Sequence, residues 1–189
     1  MALSAVALAN RALLKIGAAA IQGFHDASTE ADLANAFYGP TRDALLSAYP
    51  WSFATAQVEL NRLADVPLAD FANAFQLPDG TLRVLSAGSG GRSRGLAYRI
   101  VGRRLLTDAA RVVASIVFRP EEGDTPAFFD AALIDRLAAE LCIPLTESTS
   151  RAESLNRLAE DALRRARLVD AQQDTPQQID DFVLLADRG

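Results

Sequence analysis

The chain has 189 residues, half of them hydrophobic, one cysteine and a formal net charge of −5. That length is enough for one sizeable core, or for a core with a small appended lobe. A single cysteine, Cys142, excludes an internal disulfide and any multi-cysteine metal site, the usage expected in a reducing compartment.

Residues 1–20 are alanine-rich, but no basic stretch precedes their apolar part, and Arg11 and Lys15 interrupt it. They read as part of a soluble chain rather than as a leader. No uninterrupted apolar run reaches the roughly 18 residues of a membrane span, so no membrane partner is expected.

Leu3, Val6, Ala7, Leu13 and Leu14 fall on one face at helical spacing, which predicts a first helix over 3–16 with Gly17 as its stop. Asn10 shares that face, where a polar side chain needs a partner, so it is expected to cap or bridge to a neighbouring segment. Ser28 or Thr29 caps a second helix, with Glu30 and Asp32 in its first turn. Its apolar face is Leu33, Phe37, Ala44, Leu45 and Ala48, and Gly39-Pro40 predicts a kink or a restart.

Tyr49-Pro50-Trp51-Ser52-Phe53-Ala54 is where helical spacing gives way to strand spacing, so Pro50, Trp51 and Phe53 read as a structural hinge. Val58 and Leu60 alternate with Gln57 and Glu59 as a half-buried strand. After a loop around Asp65-Val66-Pro67, Phe75-Gln76-Leu77 leads into the turn Pro78-Asp79-Gly80 and a strand over 82–85. Residues 97–101 and 105–107 form a hairpin around Gly102-Arg103, and 112–118 a further strand. Short strands joined by tight turns favour an antiparallel sheet.

Thr125-Pro126 opens a third helix, on which Phe129, Leu133, Leu137 and Leu141 recur every fourth residue; Pro144 is expected to end it. A fourth begins near 147–150, where Ser150 and Glu153 have capping-box spacing, and runs to about Gln172. Its predicted buried stripe is Leu155, Leu158, Ala159, Ala162, Ala166 and Val169. Pairs such as Glu160 with Arg164 lie on a solvated face. The expected architecture is α+β: a four-helix bundle (1–52 and 122–174) with a small antiparallel β insert (53–121) between the second and third helices. An extended C-terminal arm (175–189) follows, whose Ile179, Phe182, Val183, Leu184, Leu185 and Arg188 have no partner within the run and are expected to dock on another chain.

Charge is unevenly spread. Residues 81–120 hold eight arginines against Asp108 alone, a local charge of +7, leaving −12 elsewhere. Such a lobe either faces acidic parts of its own fold or of a neighbouring copy, or offers Arg92, Arg94, Arg103 and Arg104 to an acidic partner or nucleic-acid backbone. The glycine-rich run 88–95 lacks the Gly-Lys-Ser/Thr that opens a helix in nucleotide-binding loops, and a strand follows it. It is either a flexible loop between strands or an ordered contact with a partner or nucleic-acid backbone. For catalysis the only histidine is His25, in a loop, and Cys142 sits on an apolar helix face where a thiol is inert. The acids at 121–124 and at 180–181 lack the alternating spacing of a calcium loop. No cofactor, metal or enzymatic activity is expected.

Several blocks occur in an order shared with one family. They are Asn10-Arg11-Ala12-Leu13-Leu14-Lys15-Ile16-Gly17; residues 38–42; Leu45-Leu46; Pro50-Trp51-Ser52-Phe53-Ala54; Leu77-Pro78-Asp79 running into Leu82-Arg83-Val84; residues 102–108; and 128–146. Nearly end to end, the sequence resembles the head–tail adaptor (tail tubular protein A-like) proteins of tailed bacteriophages and gene transfer agents. Its ending is also similar, with Phe182 where the family's pattern has tryptophan. The resemblance implies a structural virion protein at the neck between capsid and tail, assembled in the host cytoplasm. It further implies a twelve-copy ring bound to the portal protein above and the next tail or neck protein below, with packaged DNA passing through the channel without specific binding. The alternative from the residues is a nucleic-acid-binding module using segment 81–120.

Overall fold

The computed structural model describes residues 3–173. The arm expected at 175–189, with Ile179, Phe182, Val183, Leu184, Leu185 and Arg188, lies outside the described residues.

Helix α1 (Ala5–Ile16) starts where the Ser4 hydroxyl accepts the Ala7 N–H at 3.3 Å. It stops at Gly17, whose φ of 79° places it in the left-handed region. The Gly17 and Ala18 N–H groups then return to the carbonyls of Leu14 and Leu13, the closure expected of a glycine stop. Asn10 does brace a neighbouring segment: its side chain exchanges two 2.8 Å hydrogen bonds with the backbone of Ile21, pinning the connector to α1.

Helix α2 (Thr29–Ala48) is capped by Ser28 and carries Pro40 inside it; it continues through Gly39-Pro40 rather than restarting. Helix α3 (Ala127–Thr146) likewise runs past Pro144 and closes at Glu147, which adopts a positive φ of 55°. Helix α4 (Thr149–Ala171) has no side-chain cap hydrogen bond, so the Ser150–Glu153 capping box is not made. Thr125 makes no side-chain cap of α3; its hydroxyl lies 2.6 Å from an Asp130 carboxylate oxygen and 2.8 Å from the Glu122 carbonyl oxygen, which share its one proton.

Between α2 and α3 lie seven strands in two sheets, all pairings antiparallel. They are β1 (Thr55–Glu59), β2 (Asn61–Arg62), β3 (Asn73–Gln76), β4 (Thr81–Gly88), β5 (Arg99–Val101), β6 (Arg104–Thr107) and β7 (Val113–Phe118). One sheet has the order β1-β7-β4 and the other β2-β3-β6-β5. Phe75 and Leu105 of the second sheet and Ala114, Ile116 and Ala87 of the first share one apolar core. The other core belongs to the helices, and Ala54, Val117, Leu82 and Leu85 join it. The β1-β7-β4 sheet is therefore the middle layer, contributing to both cores.

This arrangement overturns the expected four-helix bundle with a small insert. The strands form two sheets rather than one minor lobe, and the helices do not close on one another. Helices α1, α2 and α4 each pack chiefly on α3. Helix α4 buries a narrow run of Ala152, Ala159, Ala162 and Ala166 ending in Asp170. Leu158 and Val169, assigned to its buried stripe, are instead 56% and 41% exposed. Alanines let two helices approach closely but supply one narrow face, so α4 packs chiefly on α3 and meets α1 at its start, where Arg151 donates to the Lys15 carbonyl at 3.3 Å.

Candidate functional site

The structure places Pro50, Trp51 and Phe53 at the junction between α2 and β1, around a 3-10 turn at Ser52–Ala54. Trp51 is fully buried and donates its indole N–H to the Leu45 carbonyl at 3.0 Å. Its ring centroid lies 4.9 Å from Tyr49, 5.9 Å from Phe53 and 5.3 Å from Phe129. Asp170, in the last turn of α4, comes to the same place from 118 residues away. The Ser52 N–H donates to both its carboxylate oxygens, at 3.1 and 3.0 Å, and the Ser52 hydroxyl donates at 2.7 Å. Arg167, one turn earlier, stacks over the Tyr49 ring at 5.5 Å. Beside this joint is a cavity of about 470 Å³ walled by Tyr49, Thr55, Gln57, Ser115 and Asp170. Thr55 Oγ1 is buried there without a hydrogen-bond partner among the described residues.

The arginines of 81–120 are distributed otherwise than their sequence crowding suggests. Arg111 pairs with Glu59, Arg104 with Asp65, Arg99 with Asp70 and Arg103 with Asp79. The four acids of 59–79 are thus taken up one by one. Arg119 pairs with Asp43 of α2, and Arg83 donates to the Ser47 carbonyl at 2.8 Å. All four arginines singled out are exposed; Arg103 and Arg104 pair with Asp79 and Asp65, and Arg92 and Arg94 lie on the loop after β4. These exposed pairs are individually worth roughly 0.2–1 kcal/mol. Their main effect is to cancel the positive field that a broad nucleic-acid surface would need.

A second ionic cluster ties helix to sheet. Arg42 bridges Asp43 and Glu122, Asp43 also accepts from Arg119 beyond β7, and the Tyr38 hydroxyl donates to Glu122. Of the acids at 121–124, Glu122 therefore faces the protein's own α2. Burial, reinforced by the Glu122 charge, pushes the Tyr38 hydroxyl well above the ordinary tyrosine value. For Asp43, burial acts to raise the carboxyl, but hydrogen bonds from Arg119 and Arg42 outweigh it and hold it below the usual aspartate value of 3.8. The stabilisation from Asp43 is complete above the unfolded value and is lost as pH falls through the lower folded value. Asp43→Asn is accordingly expected to flatten the acid limb of stability, read as the urea midpoint between about pH 5 and pH 2; parallel curves for the two proteins would refute the coupling. Asp130 behaves oppositely. Burial raises its carboxyl, so it favours the native state at low pH and ceases to do so as pH rises through the raised value.

His25 is exposed in its loop and Cys142 is buried within α3. Among the described residues, no group of three or more His, Cys, Asp or Glu could hold a metal ion, and no helix is long and apolar enough to cross a membrane. Asp170 was missed by sequence reasoning because a lone acid at a helix end reads as solvated, and nothing local marks its partner 118 residues away. The pairing of acids 59–79 with arginines 99–111 did have a signal. Residues 53–121 as a whole hold nine arginines and six acids, a far milder balance than 81–120 alone. Compared with protein-family models and with curated proteins, the chain matches none.

Proposed function

We propose that the chain is a structural adaptor that assembles as a ring on a capsid portal and joins it to a tail, continuing the channel through which DNA passes. Its support is the ordered run of sequence blocks shared with head–tail adaptors, extending from Asn10 to the ending around Phe182. Two of those blocks are joints of the fold: Asn10 fixes the connector after α1, and Trp51 with Ser52 gathers α2, α3 and α4 at the entry to the strands. In a ring, many copies of a weak contact add into a stable assembly. The segment Ile179-Asp180-Asp181-Phe182-Val183-Leu184-Leu185 supplies the apolar anchor for the portal, with Arg188 at its end.

The test is co-elution of the full chain with the portal ring of the same particle, followed by negative-stain imaging. A collar of added density with the portal's symmetry is expected. Phe182→Asp/Leu185→Asp in the full chain is expected to abolish co-elution while leaving the circular dichroism spectrum unchanged. Undiminished binding by that variant would remove the role of the segment, and failure of the folded wild-type chain to bind would remove the adaptor itself.

A further inference from the structure

We propose that the cavity beside the Ser52–Asp170 joint is a docking site for the polar segment of the same chain that follows α4, Asp174-Thr175-Pro176-Gln177-Gln178. Hydrogen bonding is left unmet there in two ways. Among the described residues, two buried side-chain polar atoms lack a hydrogen-bond partner, Thr55 Oγ1 and Arg167 Nε. Both belong to this joint, since Thr55 walls the cavity together with Tyr49, and Arg167 lies over the Tyr49 ring. A buried hydroxyl or N–H without a partner is costly, and native folds keep few of them. The other deficit is in the backbone. The sheet order β1-β7-β4 leaves β1 at an edge, so on the side away from β7 its N–H and C=O groups have no strand to meet. Thr55 and Gln57 share one face of that edge strand, Ser115 is paired with Gln57 across the ladder, and all three line the cavity.

The position and chemistry of residues 174–178 fit this place. The wall facing the sheet is Asp170 with Ala171, and the Gln173 N–H closes back onto the Asp170 carbonyl at 2.9 Å. Residue 174 therefore follows only three positions after a residue of the cavity wall. The segment carries one carboxylate, one hydroxyl and two amides, with Pro176 its only apolar side chain. It thus meets walls of hydroxyls, an amide and a carboxylate with groups of the same kind. Asp174 supplies an acceptor suited to the Arg167 guanidinium, and the backbone or amide N–H groups of Gln177 and Gln178 supply donors for Thr55 Oγ1. At about 3.3 Å per residue, the five residues span roughly 16 Å, the length of the five-residue β1. Pro176 offers no N–H to a ladder, which a segment on the outside of a sheet tolerates. The apolar run from Ile179 to Leu185 has no match in these polar walls and stays available to another chain.

The test is amide hydrogen exchange of the full chain, followed by NMR. The amides of Asp174, Thr175, Gln177 and Gln178 are expected to exchange at least about tenfold more slowly than the same sequence in an unstructured peptide. That slowing should hold over about 100-fold dilution, as docking within one molecule requires. Thr55→Val removes the hydroxyl but keeps the branched shape, and should cut the protection at least about threefold. Ser115→Phe fills the cavity from β7 and should return the four amides to within about twofold of the unstructured rate. Unchanged exchange in α1 reports that each variant is folded. Unstructured rates in the wild-type chain, or protection that survives both variants, overturns the site. Protection that falls on dilution assigns the cavity to the segment of a neighbouring copy and overturns docking within the chain. Phe182→Asp/Leu185→Asp should leave the protection of 174–178 unchanged, so this result reads separately from portal binding, and its failure leaves the adaptor proposal standing.

Discussion

Trp51→Ala is expected to cost about 3–5 kcal/mol, the range for truncating a large buried aromatic. That is a large part of the 5–15 kcal/mol that holds a typical domain together. Three separate contributions are lost at once. The side chain is fully buried in the helical core, its ring touches four aromatic neighbours, and its N–H satisfies the Leu45 carbonyl at the end of α2. The aromatic contacts alone add roughly 0.5–1.5 kcal/mol each beyond the area they bury. Trp51→Phe separates the terms, because it keeps most of the apolar volume but leaves the carbonyl without its donor, at about 1–3 kcal/mol. Urea unfolding with an unchanged slope is the measurement. A loss below about 1 kcal/mol for the alanine variant would mean that this junction is not the keystone its packing makes it.

That junction was legible in sequence while much of what it holds together was not. Pro50-Trp51 stands out because proline disfavours helical backbone at the residue before it and tryptophan is rarely left in water, so the change from helix to strand could be located to within a few residues. Helix α1 could be read with equal ease, since apolar face and glycine stop agree, although its serine cap was not foreseen. Strands β4 to β7 were placed because their turns, Asp79-Gly80 and Gly102-Arg103, carry positive-φ glycines at the positions required. Strands β2 and β3 were not. Two residues of β2 give no period, and Asn73-Ala74-Phe75 in β3 is buried at three successive positions, so it shows no alternation. Missing them turned two facing sheets into a minor insert.

The prolines misled in the other direction. Pro40 and Pro144 each lie inside a helix that continues around them, because packing on α3, or within it, outweighs one lost hydrogen bond. The charge pattern misled by windowing. Counting 81–120 alone isolates the arginines from Glu59, Asp65, Asp70 and Asp79, the very acids that antiparallel pairing brings back beside them. Arg92 and Arg94 lie on a loop whose glycines were visible in sequence but whose closure at its base, Leu96 onto Ala87, was not.

Asp170→Ala is the second large effect expected, about 1.5–3 kcal/mol, because it removes a buried charged acceptor from both donors of Ser52 at once. Ser52 contributes both its N–H and its hydroxyl to this carboxylate, which is only 3% exposed. Leaving the N–H unpaired at the start of the 3-10 turn costs more than losing the hydroxyl contact, so Ser52→Ala should be milder than Asp170→Ala. The pair should show a coupling of about 0.5–3 kcal/mol in a double-mutant cycle. Asp170→Asn, which retains one acceptor oxygen, should fall between wild type and alanine. Hydrogen exchange adds a local readout: faster exchange is expected over the last turn of α4 and at Ser52 through Thr55, with α1 unaffected. Stabilities within about 0.5 kcal/mol of wild type would show that solvent serves Ser52 as well as the carboxylate does. The same bond anchors the last described turn of α4. If residues 174–189 grip a portal as proposed, Asp170→Ala should weaken portal co-elution even though it lies outside the gripping segment, since a loosened root costs the segment its starting position.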